Sequence, residues 1–283
     1  DVKAVTGLLT MFHYSQRQSG LSAANTILKL VFHNTVRHVR KTHGNPLLGL
    51  AINLLQTLML VVVFAFMFSV LGLRGNAIRG DFILYIMTGI FLFMTHNNAL
   101  SAVAGSETAT SPMMQHAPMN TAIAITSAAL SSLYIQVLSV VVILTGYSVG
   151  WGTVKFQYLP GAFLMLLIAW FSGVAIGMVL LALRPWFPQF TKIVQTVYAR
   201  ANMITSGKMF VANQMPGYIL AMFSWNPLFH CIDQARGYTF VNYSPHFSSI
   251  VYPAVFSLIF ITVGLLAEFF TRSRASASWG AGR

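Results

Sequence analysis

The amino-acid sequence predicts an all-α, polytopic membrane protein: six transmembrane helices, an N-terminal amphipathic interface helix and a re-entrant outer hairpin between spans five and six. Three observations lead there. Hydrophobic residues make up 56% of the 283-residue chain and charged ones only 8%, too little polar cover for the surface of a soluble protein. The apolar runs reach about 20 residues or more, the length at which an α-helix crosses a hydrocarbon core of about 30 Å. Those runs also lack the alternation of a membrane β-strand, and helices are then the only spanning structure left.

Residues 1–46 read as a cytoplasmic tail. From Ser22 to His43, Leu28, Val31, Phe32, Thr35 and Val39 share one helical face, while Lys29, His33, Arg37 and Arg40 share another. That is a basic amphipathic helix suited to the membrane interface, serving either as an anchor or as part of a docking surface for a partner. Gly44-Asn45-Pro46 ends it and turns the chain into span one. A transmembrane domain over 47–271 then carries spans at 47–73, 82–105, 121–149, 158–183, 190–212 and 250–271, and 272–283 form a C-terminal tail. The first apolar run starts too far in to read as a secretory signal peptide. No internal repeat is visible, which argues against a secondary transporter built from two matching halves.

Orientation follows the basic residues. Lys3, Arg17, Lys29, Arg37, Arg40, Lys41, Arg184, Lys192, Arg272, Arg274 and Arg283 fall on one side of the predicted spans. Arg74, Arg79, Lys155, Lys208 and Arg236 fall on the other, and Arg200 lies within span five. The richer side is cytoplasmic by the positive-inside rule, which places both termini there. The net charge of +12 therefore reads as topology signalling and contact with anionic lipid rather than as a nucleic-acid footprint.

Between spans five and six, the apolar run Met215–Ile232 is interrupted by Pro216, Gly217 and Pro227. A full crossing there would put Arg272 and Arg274 outside. A re-entrant hairpin over 214–240 is the economical alternative, and Asp233 and Arg236, three residues apart, are expected to pair on its returning helix.

Span five carries Thr191, Gln195, Tyr198, Asn202, Thr205, Ser206 and Asn213 on one stripe, and span one a shorter stripe of Asn53, Gln56 and Thr57. Such stripes face protein or water rather than acyl chains. They either line a pore or hydrogen-bond helix to helix. Stripe length and the adjoining re-entrant segment favour the pore, with Asn53, Gln56, Gln195, Tyr198, Asn202 and Thr205 as its lining. The loop 106–120 holds Glu107 and a Met113-Met114-Gln-His segment between Pro112 and Pro118. A short, methionine-rich segment between prolines suits an adaptable docking knob; a merely solvated loop would be less apolar.

Several chemistries find no support. Ser206-Gly207-Lys208 lacks the glycine spacing and the following Ser/Thr of a phosphate-binding loop. The eight histidines show no metal-ligand spacing, and five acidic residues make a hydrolytic carboxylate pair hard to assemble. His96 reads as a satisfied helix-facing histidine, with a buried functional group as the alternative. Glu268 can pair with Arg272 four residues on. Cys231 is the single cysteine, so an internal disulfide framework is excluded.

Particular segments carry a family resemblance. RPWFPQFTKIVQ (184–195), the Met215-Pro216 pair, SWNPLFHCIDQAR (224–236), GIFLFM in span two, and Glu107 with Pro118 resemble type-two ABC exporter permeases, most closely those for capsular polysaccharide and O-antigen. The resemblance implies a homodimeric permease in a bacterial inner membrane, with each copy paired with a separate nucleotide-binding ATPase subunit. ATP and magnesium would be bound by that partner and no cofactor by this chain. Glu107, Met113, Met114 and Pro118, with Arg37 and Arg40 of the amphipathic helix, would dock the ATPase. Polysaccharide, possibly lipid-linked, would leave along spans one and five past an outer gate of Trp225, Asn226, Pro227, Phe229, Asp233 and Arg236. Tyr198, Tyr218, Trp225 and Phe229 offer sugar-stacking faces or serve as interfacial belt residues. The alternatives are a related permease for a drug, lipid or other small substrate, and a membrane-embedded acyltransferase using His96 or His230.

Overall fold

The computed structural model describes residues 20–41, 46–70, 72, 81–108, 111, 120–152, 154 and 156–274. Met113, Met114 and Pro118 lie outside the described residues, as does the side chain of Arg40. The described chain is all-helical: α1 Gly20–Lys41, α2 Pro46–Val70, α3 Phe82–Ala104, α4 Thr121–Gly150, α5 Leu159–Leu183, α6 Pro188–Thr205, a 3-10 turn Ala212–Gln214, α7 Gly217–Phe223, α8 Pro227–Thr239 and α9 Val251–Arg274. Five of these, α2, α3, α4, α5 and α9, are long and apolar enough to cross a membrane. They match the expected spans one to four and six.

The expected fifth span is shorter and more polar than anticipated. Pro188 starts α6, where its missing N–H costs nothing. The helix stops at Thr205, seven residues before the expected end, because Ser206 is followed by Gly207 at φ +70°, a left-handed residue that terminates the helical ladder.

α3 forms the centre. Asp81 caps its start by accepting from the N–H groups of Ile83 and Leu84 at 2.9 and 3.4 Å. From Leu84 to His96 every side chain is buried. It meets α5 through Gly173 and Gly177, where an added Cβ would lie 2.3 Å from the His96 carbonyl oxygen and 2.9 Å from that of Leu100. Gly264 of α9 meets Met178 of α5 in the same manner, with an added Cβ 2.8 Å from the Met178 Cβ. Apolar side chains gain nothing by leaving lipid for a protein interior, so close approach at small residues drives such packing. α2 and α9 lie outermost and expose rows such as Leu55, Met59, Val62 and Phe66, or Leu258, Leu265 and Phe269.

The wheel of α1 divides three ways rather than two. Asn34 is buried, and the carbonyl of neighbouring Val31 accepts from Ser127 of α4 at 3.2 Å. Ile27, Leu28 and Phe32 remain exposed, and Lys29, His33 and Arg37 are exposed beside them. The apolar side is thus open to the membrane interface while a third side packs on the bundle.

Candidate functional site

Four side chains of the α6 stripe, Gln195, Tyr198, Asn202 and Thr205, bond to other parts of the chain. Gln195 donates to Ser101 of α3 at 3.3 Å. Tyr198 lies 3.0 Å from His96 Nε2, while His96 Nδ1 lies 2.9 Å from Ser172 and 3.2 Å from the Ala169 carbonyl. Since the Ser172 hydroxyl donates to Ala169, the arrangement fits a neutral ring that donates from Nδ1 and accepts the Tyr198 proton. Asn202, 1% exposed, accepts from the Asn226 amide at 2.8 Å, and Thr205 accepts from the same amide at 2.9 Å. These bonds join α6 to α3 and to the start of α8.

Asn53 behaves likewise. Its amide donates to Ser139 at 2.7 Å and to Gln136 at 3.3 Å, and Asn98 donates to both Asn53 and Gln136 at 3.0 and 3.2 Å. This amide cluster ties α2, α3 and α4 together and leaves the Gln136 Nε2 buried without a partner. Gln56 is exposed, and with Asn53, Asn98, Ser101, Glu107 and His38 it lines a cavity of about 590 Å³ at the Gly105 end of α3. Glu107 is half-buried there and Arg37 is exposed on α1.

The 224–236 motif builds a structural joint. Asn226 caps α8 by accepting from Leu228 N–H at 3.0 Å, and Pro227 follows in the first turn. His230 accepts from Ser249 N–H through Nδ1 at 3.0 Å and donates from Nε2 to the Ser224 carbonyl at 2.6 Å. Both of its ring nitrogens are engaged, as are those of His96. Phe229, 1% exposed, packs on Gly207, where a Cβ would come 2.6 Å from its ring. Of the six expected gate residues, Asn226, Pro227, Phe229, Asp233 and Arg236 are interior and Trp225 is exposed. Tyr218 is exposed as well.

The expected Asp233–Arg236 ion pair does not form. Arg236 donates to the carbonyls of Gly207, Phe210 and Lys208 at 3.0, 2.6 and 2.5 Å, and its guanidinium lies 4.1 Å over the Tyr85 ring. Those carbonyls lie in the turn after α6, where helical partners have run out, and a planar fork with several donors suits them better than one carboxylate does. Asp233 instead accepts from Tyr243 and from Ser248, the latter at 2.6 Å. Burial, with the Asp233 charge added to it, pushes the Tyr243 phenol well above its ordinary value, so it stays a donor.

Sequence reasoning also missed Lys208. It is 3% exposed, with its ammonium 3.4 Å from the Phe93 ring centroid, 4.9 Å from that of Phe64, and no hydrogen-bond partner. The available signal was a lone lysine beside a glycine in an otherwise uncharged stretch. One further prediction arises at the joint. Asn226→Ala is expected to lower stability by about 2 kcal/mol, the loss of a cap plus two inter-helix bonds. A thermal melt in detergent checks this, and Asn226→Asp, which keeps the cap acceptor but loses both donors, should rescue only part.

These long apolar helices define a multi-pass membrane protein. A model of the ABC-2 type transporter family matches residues 29–240, well over half the chain, and the chain belongs to that family. It is therefore a permease subunit rather than an ATPase. No curated protein matches the sequence significantly.

Proposed function

We propose that the chain is the permease of an ATP-driven exporter that moves a polysaccharide out across the inner membrane, as a homodimer with a nucleotide-binding ATPase on each copy. The observation that carries the dimeric passage is the division of α6. Tyr198 and Asn202 are engaged inside the chain, and the other face, with Phe190, Ile193, Val197, Arg200 and Ile204, is left uncovered. A route for a hydrophilic polymer would then be framed by surfaces that one copy leaves open, α6 and the Gln56 side of α2. α7 and α8 form the re-entrant element at its outer end, held by Asn226 and Arg236. The polysaccharide reading rests on the resemblance of the 224–236 segment; exposed Tyr218 and Trp225 can add stacking faces.

Loop 106–120 is the docking knob in this reading, with α1 beside it. The test is a mild-detergent pull-down of the tagged full-length chain from its native membranes. An ATP-binding subunit should co-elute at equal stoichiometry, and Glu107→Arg, which reverses the charge at the cavity mouth, should reduce it about tenfold while the permease stays in the membrane. A chain that purifies alone under every mild condition overturns the reading.

A further inference from the structure

Arg200 sits level with the middle of the membrane-length helix α3, with no partner among the described residues. α6 runs antiparallel to α3: Gln195 lies opposite Ser101, Tyr198 opposite His96, and Lys208 against Gly89. At 1.5 Å per residue, this places Arg200 about 15 Å from the Ala104 end of α3 and about 18 Å from its Phe82 end. Ile193, Val197, Arg200 and Ile204 fall on one stripe at helical spacing, and all four are exposed. Among the described residues Arg200 has no hydrogen bond, ion pair or ring contact. A guanidinium at that depth against acyl chains is unfavourable on every insertion scale, so this face meets water or protein.

Among the described residues no acidic side chain supplies the counter-charge. Asp81, Glu107, Asp233 and Glu268 are the acidic residues among those described. Asp81 caps the Phe82 end of α3, and Glu107 follows its Ala104 end. Glu268 lies on α9 between Gly264, which touches Met178, and Thr271, which donates to the Ala182 carbonyl, again near the Ala104 end. Asp233 already accepts two hydroxyl hydrogens. A second copy related by an axis along the membrane normal brings each residue to the same depth, and so presents another Arg200 rather than a carboxylate. Resting on the export reading above, we propose that Arg200 faces the transport passage and binds an anionic group of the cargo, a phosphate or a carboxylate. Two copies then set two guanidinium forks at one level, a geometry matched to those groups and of no advantage for a neutral polyol.

The test uses the permease with its ATPase in lipid nanodiscs and three fluorescent probes: an oligogalacturonate, a long-chain polyprenyl diphosphate and a dextran. Wild type should bind at least one anionic probe in preference to dextran. Arg200→Gln should weaken that binding about tenfold or more, and Arg200→Lys should keep part of it. The probe that responds tells a charge along the polymer from a phosphate at its lipid-linked head. Dextran bound as tightly as the anionic probes, or Arg200→Gln binding them like wild type, overturns the proposal and leaves the export reading standing. A second arm needs no ATPase. Arg200→Cys should react with a negatively charged, membrane-impermeant methanethiosulfonate, against a quiet background because Cys231 is buried. Failure to react places the face against protein or lipid rather than water and overturns the proposal by itself.

Discussion

Arg236→Ala is expected to leave little folded protein in the membrane. The guanidinium is 1% exposed and is the hydrogen-bond donor to three carbonyls of the turn that follows α6. Its removal leaves the Lys208 and Phe210 carbonyls without donors, while Gly207 keeps its bond from the Phe210 N–H, and it leaves the Tyr85 ring without its cation. Each orphaned group costs about 1–3 kcal/mol, so about 4 kcal/mol in total is a large part of the stability a domain of this kind commands. Arg236→Lys should recover only a fraction, because one ammonium cannot reach all three acceptors. Fluorescence-detected gel filtration after heating checks both. Asp233→Asn is expected to do much less, since a neutral amide oxygen still accepts from Tyr243 or Ser248. The two changes should couple through their charges, which both act on the Tyr243 phenol, but by less than a directly hydrogen-bonded ion pair would.

That contrast marks where the sequence stops being informative. A spacing of three on a helix says that Asp233 and Arg236 can meet. It cannot weigh that contact against carbonyls about 28 residues upstream, whose need for donors exists only once Gly207 has ended α6. The membrane helices were legible because their length and apolarity answer to the bilayer alone. The stripe of α6 was legible as a stripe, yet periodicity fixes which residues share a face and not what that face meets. Asn202 and Tyr198 turned out to meet Asn226 and His96. The joint at Asn226-Pro227 was more accessible than the gate assigned to it. An Asn followed by Pro is a capping residue followed by a first-turn residue, and that reading predicts a helix starting at 227, as observed. The spacing of Gly173 and Gly177 was an equally plain signal of close helix packing that the sequence analysis left unused.

Those glycines allow a graded experiment. At Gly173 an added methyl group would lie 2.3 Å from the backbone oxygen of His96, which no side-chain rotation can relieve. α3 and α5 would have to separate, and the His96 bonds to Ser172 and Tyr198 would stretch with them. Gly173→Ala is therefore expected to cost about 3 kcal/mol or more, in the range of severe overpacking. Gly177→Ala meets the Leu100 oxygen and the Val103 Cβ, both at 2.9 Å, and should cost less because a smaller shift suffices. At Gly146 nothing lies within 4 Å, so alanine there should be neutral or stabilising by up to about 1 kcal/mol through helix propensity alone. Thermal melts of the three variants in one detergent should order as Gly173, Gly177, Gly146 from lowest to highest. Equal melts would mean that α3 and α5 are held by their apolar side chains. A steep series would assign the closeness of that pair, and with it the placement of His96 against α6, to the missing methyl groups.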